Sequence, residues 1–153
     1  MKLAEALVLR ADTQKKIAQL KQRIERVVKV QEGEVPAEEP NALIAELEQI
    51  LKEQTAWIRK INKTNTLTPF NVELSISDAL AERDQLMQHR KLLGDLLEQA
   101  SIKQDRFSRS EVKFQRTVDV AGLQTQIDAL SKAYRELDFQ IQAMNWTTEL
   151  LED

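Results

Sequence analysis

The chain contains a single histidine, His89, and its neighbours limit the chemistry open to that imidazole. A histidine holds a metal ion or acts as a base only with partners, such as a carboxylate one helical turn away. The residues four before and four after it are Gln85 and Leu93, and neither supplies such a group. We therefore expect His89 to lie at the surface, and we expect no catalytic residue, no metal site and no cofactor.

The other residue types that carry chemistry lead to the same expectation. The chain has no cysteine, which excludes disulfides, thiolate metal sites and cysteine nucleophiles. Its three glycines are scattered and cannot form a phosphate-binding loop. Di-iron bundles need repeated Glu-x-x-His motifs, which one histidine cannot provide. The chain is therefore not expected to be an enzyme. We expect its helical carboxylates to face solvent, among them Glu46, Glu48, Glu53, Glu136 and Asp138.

Basic and aromatic side chains are mixed in the segment KQDRFSRSEVKFQR, residues 103–116. Such mixing serves single-stranded nucleic acid, because cations contact phosphates and aromatic rings stack on bases. The same residues also fit a β ribbon whose phenylalanines are buried and whose arginines pair with acidic helices. The net charge of −3 favours the ribbon. The candidate polyanion-binding residues are Arg106, Arg109, Lys113 and Arg116.

Few residues are available to break helices, since the 153 residues include only three glycines and three prolines. Hydrophobic residues make up 42% and charged residues 31%, which is typical of a folded chain. Apolar residues recur at steps of three and four along four stretches. The sequence predicts a mainly α fold, one domain over residues 1–153, with four long helices in an antiparallel bundle or coiled-coil arrangement. The predicted helices are 2–30, 41–62, 76–100 and 120–148.

A short β ribbon is predicted beside the helices. Valine and phenylalanine alternate with polar residues near residues 112–118, which is the period of a strand. A strand needs a partner, so the predicted ribbon segments are 66–74 and 110–118. Two further local predictions concern helices: Asn41 is the expected N-cap of the second, and Gly94 in the third is expected to mark a close helix crossing.

The second helix carries two apolar rows. The row expected to face a neighbouring helix steps by four and three through Leu43, Leu47, Ile50, Gln54, Trp57 and Ile61. A flanking row repeats every seven residues, at Ile44, Leu51 and Ile58. Because the combined stripe is wide, it is expected to face more than one neighbour, as in a bundle.

The fourth helix has the strongest heptad pattern in the chain. Its steps of four and three are typical of a helix–helix seam, either inside one chain or between subunits. A tryptophan near the end of this helix is expected to pack on a neighbouring helix or at a subunit interface. The candidate oligomer seam is Leu123, Ile127, Leu130, Tyr134, Leu137, Ile141, Met144 and Trp146.

Several stretches together resemble a small bacterial family of helical proteins of unknown biochemical role, some members of which carry the name septicolysin. The resemblance runs nearly end to end and includes MKLAEAL, KVQEGEVPAEEP, INKTN, RSEVKFQRTVDV and YRELDFQIQAMNWTTEL. It implies a helical, cytoplasmic and oligomeric protein, and it assigns no site residues. The name implies a pore-forming cytolysin, which the residues disfavour, because no segment fits a membrane-spanning barrel hairpin.

These patterns favour a structural or protein-interaction module that associates with copies of itself. The alternative is a nucleic-acid-binding protein that uses the basic segment 103–116, and an enzyme with a site assembled between subunits is a further hypothesis. No stretch is apolar enough for a transmembrane helix and the N-terminus does not form a signal peptide, so we expect a cytoplasmic protein without membrane contact. No small-molecule substrate is evident.

Overall fold

The computed structural model describes residues 1–101 and 113–152. The described residues are mainly helical and contain four long helices, as the sequence predicts. The helices are α1 (Leu3–Val27), α2 (Pro40–Leu67), α3 (Ile76–Ala100) and α4 (Val120–Thr147). The chain divides into two compact units: unit 1 combines Met1–Ile76 with Gln142–Asp153, and unit 2 is Ser77–Ile141.

One hydrophobic cluster of unit 1 lies between α1 and α2. Leu20 and Val27 near the end of α1 are buried together with Leu43 at the start of α2, so these two helix ends pack on each other. The predicted inward row of α2 is confirmed, because Leu43 and Ile61 are buried and the residues between them in the row are half-buried. Each fully buried side chain of this kind contributes about 1.5–3 kcal/mol through the hydrophobic effect.

Two threonines are also buried in unit 1. Thr13 on α1 is 1% exposed, and its hydroxyl donates to the carbonyl of Arg10 at 2.6 Å. Thr64 on α2 is fully buried, donates to the carbonyl of Lys60 at 2.8 Å and accepts the backbone N–H of Leu151 at 2.9 Å. Because each hydroxyl has a partner, these polar side chains are buried without the cost of an unpaired group.

Helix α2 differs from its predicted bounds at both ends. Its N-cap is Glu39, whose carboxylate accepts the N–H of Ala42 at 2.8 Å, and the prediction of Asn41 is wrong. The helix starts one residue earlier because Pro40 fits the first helical position, where no N–H is needed. It continues to Leu67 because burial of Thr64 outweighs the weak helix propensity of this polar stretch.

The predicted ribbon is absent from the described residues. Segment 66–74 begins with the last turn of α2, and the following turn closes on itself through one antiparallel bridge between Pro69 and Ser75. The side chain of Asn71 stabilises this turn by accepting the N–H groups of two residues that follow it. Residues 113–118 contain no strand, and residues 110–112 lie outside the described residues.

The two ends of the chain meet in unit 1. A single antiparallel bridge pairs Lys2 with Glu149, flanked by hydrogen bonds from Leu3 N to Thr148 O (2.9 Å) and from Leu150 N to Met1 O (2.8 Å). The Glu149 carboxylate accepts hydrogen bonds from the Lys2 ammonium and from the N-terminal amine. These hydrogen bonds, that of the Lys2 ammonium above all, lower the pKa of Glu149.

We predict that Glu149→Gln lowers the free energy of unfolding near neutral pH and has no effect in acid. Because the pKa of Glu149 in the folded chain is below its ordinary value of 4.5, the ion pair stabilises the fold fully above that value. This stabilisation is lost as the pH falls through the lowered pKa and the carboxylate is protonated. Urea unfolding of both proteins, at about pH 7 and at about pH 2, measures the difference.

The matched control is Glu25→Gln. The Glu25 side chain is 62% exposed, as is that of Glu149, but its carboxylate lies 3.8 Å from a single lysine on its own helix. An exposed pair of this kind contributes little to stability. An equal pH-dependent loss in both variants would contradict the role assigned to Glu149.

We also predict opposite effects of alanine at two glycines. Gly94 lies inside α3, where an added methyl group meets no atom within 4 Å, so the expected close helix crossing is not found in the described residues. Gly94→Ala should raise the free energy of unfolding by about 0.5–1 kcal/mol through helix propensity.

Gly33 has φ of +88°, a conformation that alanine adopts only with strain, so Gly33→Ala should lower the free energy of unfolding. Urea unfolding tests both, and destabilisation by G94A would contradict the first expectation.

Candidate functional site

Unit 2 consists mainly of two helices, which are linked by an ion pair near one end, while the segment before α4 contacts α3 at the other end. Arg83 near the start of α3 donates through Nη1 to Oδ1 of Asp138, near the end of α4, at 2.7 Å. At the other end, Arg116 Nε donates to the carbonyl of Ala100, the last residue of α3, at 2.9 Å. Asp138 was expected to face solvent. Its carboxylate instead pairs with Arg83 and both side chains are about three-quarters covered, so that expectation is wrong.

The helices of unit 2 leave their apolar side chains incompletely covered. Among the described residues of this unit, only Ala79 and Ile141 are buried. The large apolar residues that recur along both helices are only half-buried, although a core residue is normally covered by many neighbours. These half-buried residues are Leu80, Leu86, Leu93 and Leu97 on α3, and Leu123, Ile127, Leu130, Tyr134 and Leu137 on α4.

The predicted seam of α4 therefore has graded burial. Its residues in unit 2 are half-buried except for Ile141, which is 1% exposed. In unit 1, Met144 is half-buried, whereas Trp146 is 60% exposed in the single chain. The sequence predicts that this tryptophan packs on a neighbouring helix or at a subunit interface. Contacts within the chain cover less than half of it.

Two exposed leucines on α3 were not part of any sequence prediction. Leu92 and Leu96 are 54% and 56% exposed and lie one turn apart on the same side of the helix. Their spacing by four residues could have indicated an apolar surface. They lie outside the half-buried row that contains Leu86 and Leu93, however, and in the sequence they look like the edge of that row. They form an apolar surface that we call the α3 flank.

A cavity of about 690 Å³ lies at the end of α3. Its apolar lining includes Leu96, Leu123 and Phe114, and Phe114 is 79% exposed. The candidate polyanion-binding residues divide here. Lys113 and Arg116 are exposed, and Arg116 also binds the end of α3, whereas Arg106 and Arg109 lie outside the described residues.

The remaining candidates for chemistry are separated from one another. His89 is exposed on α3, where the sequence predicts it. Over residues 1–101 and 113–152, no group of three or more histidines and carboxylates is close enough to hold a metal ion. Glu46, Glu48, Glu53 and Glu136 are exposed as expected.

In the part of the chain that the structure describes, no helix combines the length and the apolar character required of a membrane span.

A second apolar surface lies on α2 in unit 1. The flanking row Ile44, Leu51 and Ile58, which we call the α2 outer row, is 38%, 43% and 37% exposed. Contact with α1 thus covers the inward row of this helix and leaves the outer row uncovered. A shallow groove of about 310 Å³ runs beside it, lined by Leu51, Lys52, Thr55, Ala56 and Arg59.

Comparison with known proteins gives the chain a family. A family model described as a family of unknown function (DUF6847) matches residues 10–150. Among solved structures, the chain is similar to the crystal structure of a functionally unknown conserved protein from Corynebacterium diphtheriae, with 42% sequence identity, 99% coverage of each chain and a TM-score of 0.90. A search of the curated proteins found no match, and neither description uses the name septicolysin. Because the family model spans nearly the whole chain, the protein belongs to the DUF6847 family of unknown function.

Proposed function

We propose that the protein is a structural or protein-interaction module that associates with a second copy of itself through unit 2. The observation that supports this proposal is the low burial of unit 2. Among its described residues, only Ala79 and Ile141 are buried. The large apolar residues of α3 and α4 thus retain contact with water along the length of both helices.

Helix geometry explains why a second copy would cover these residues. An amphipathic helix presents an apolar stripe at least about 100° wide, whereas a single neighbouring helix covers only the line of contact. Four helices surround a common core and cover the whole stripe of each. Two copies of α3 and α4 supply four helices, so the predicted antiparallel bundle would form between subunits.

The α3 flank supports this arrangement. Leu92 and Leu96 are adjacent to the half-buried row of α3 and extend its apolar surface to one side. A two-fold interface uses each residue twice, so this pair would contribute four leucines. Burying a leucine side chain is worth about 1.5–3 kcal/mol, and these leucines have roughly half of that still to gain.

The arrangement of the ion pairs also favours association over nucleic-acid binding. Arg83 and Asp138 neutralise each other, and Arg116 is engaged at the end of α3. The pairing of Arg83 with Asp138 suits an apolar interface, since charged residues are depleted from interface cores. The role in this proposal is binding, and catalysis has no part in it.

We predict that Leu92→Lys/Leu96→Lys reduces the mass of the protein in solution. The wild-type chain should have a mass that is a multiple of 17.6 kDa at micromolar concentration, and the double variant should be shifted toward 17.6 kDa. Lysine keeps the helix propensity but would place four ammonium groups in the interface. Size-exclusion chromatography with light scattering measures the masses, and circular dichroism checks that both proteins are equally helical.

The charge-matched control is Asp84→Asn/Asp95→Asn. It makes the same change of two charge units at two exposed residues of α3 outside the α3 flank. Its mass should equal that of the wild type. A wild-type mass of 17.6 kDa, or equal masses of the two double variants, would contradict association through unit 2.

A further inference from the structure

The α2 outer row is a strip of exposed side chains with a regular repeat. Ile44, Leu51 and Ile58 are seven residues apart, which is about two helical turns. They therefore lie on one side of α2. Contact with α1 occupies a different side of the same helix, where Leu43 and Ile61 are buried. The outer row is therefore available to a second helix while α1 stays in place.

The surface beside the row fits a helical partner. The groove lined by Leu51, Thr55, Ala56 and Arg59 lies next to the middle of the row, and its small side chains leave a recess there. Helices that repeat every seven residues pack by inserting a large side chain of one into a recess of the other. A leucine at the centre of a partner's row would occupy this groove.

The exposed charges beside the α2 outer row favour a second copy of α2 as the partner, and they favour one orientation of that copy. Glu48 lies on the N-terminal side of Leu51, and Lys52 and Arg59 lie on its C-terminal side, at the same margin of the row, and all three are exposed. Two copies of α2 that run antiparallel about Leu51 place the acidic part of each beside the basic part of the other. Two parallel copies related by a two-fold axis place this margin of each helix beside the opposite margin of the other, so this charge pairing is lost, and such flanking charges set helix orientation.

We propose that the α2 outer row is an interface with the α2 helix of a second copy of this chain, in antiparallel orientation about Leu51. In this pair Leu51 meets Leu51 of the partner subunit, and Ile44 meets Ile58 of the partner subunit. Glu48 lies beside Lys52 of the partner subunit. This contact is separate from the association through unit 2, and together the two surfaces would link more than two chains.

Cross-linking of single-cysteine variants tests the proposal, since the natural chain has no cysteine. A short bis-thiol reagent that reaches about 8–10 Å matches the spacing of packed helices. Leu51→Cys should give a cross-linked dimer at low micromolar concentration. Ile44→Cys and Ile58→Cys should each give little, because in the antiparallel pair their thiols lie about 21 Å from the same thiol of the partner. Ile44→Cys/Ile58→Cys should again cross-link efficiently.

The control and the charges make the outcome decisive. Gln49→Cys is exposed on the other side of α2 and should cross-link at least tenfold more slowly than L51C. Glu48→Lys should slow the cross-linking of L51C, and Glu48→Lys/Lys52→Glu should restore it. Equal rates for L51C and Q49C would overturn the interface, and efficient cross-linking of all three single variants in the row would overturn its antiparallel direction.

Failure of this proposal is distinguishable from failure of the association through unit 2. L51C is also cross-linked in the Leu92→Lys/Leu96→Lys background, where unit 2 should no longer associate. Retained cross-linking there supports a separate α2 interface. Loss of cross-linking there, with L51C still efficient in the natural background, would overturn the statement that the α2 contact is separate.

Discussion

The constraint on which the structure depends is that a long amphipathic helix must cover an apolar stripe along its whole length. In unit 1 this requirement is met on one side of each helix. Leu20 and Val27 pack on Leu43, and Leu47 and Ile50 of the inward row of α2 pack against this cluster. In unit 2 it is met only in part, since Leu86, Leu93 and their neighbours stay half-exposed. The uncovered stripes are the basis of the association with a second copy that we propose.

Polar groups fix the places where the helices begin, end and meet. Thr64 satisfies its hydroxyl within α2 and also holds the backbone of Leu151, so a single side chain joins the C-terminal segment to the core of unit 1. Glu149 does the same for the start of α1 through Lys2 and the N-terminal amine. In unit 2, Arg83 with Asp138 and Arg116 with the end of α3 have this role. Since these contacts are directional, they specify register, which apolar stripes alone leave loosely defined.

Much of the fold was predictable because helices depend on local spacing. The predicted inward row of α2 is the observed one, and α3 has the bounds that its pattern indicates. The errors occur where distant contacts decide. Polar residues at the end of α2 read as a break, yet the buried Thr64 keeps the helix intact. Asp138 read as a surface charge, because its partner Arg83 is 55 residues away in the chain. The predicted ribbon is absent from the described residues for a similar reason, since alternation near residue 114 indicates a strand but supplies no partner for it.

The sequence by itself determined that this protein is built from four long helices with apolar stripes, because the number of helix breakers and the three-to-four spacing are local properties of the chain. It also determined that disulfides, thiolate metal sites and cysteine nucleophiles are excluded, because the chain has no cysteine. Only the tertiary structure decided which part of each stripe is covered. The two rows of α2 look alike in the sequence, and the position of α1 buries one and exposes the other, because a neighbouring helix covers a single line of contact.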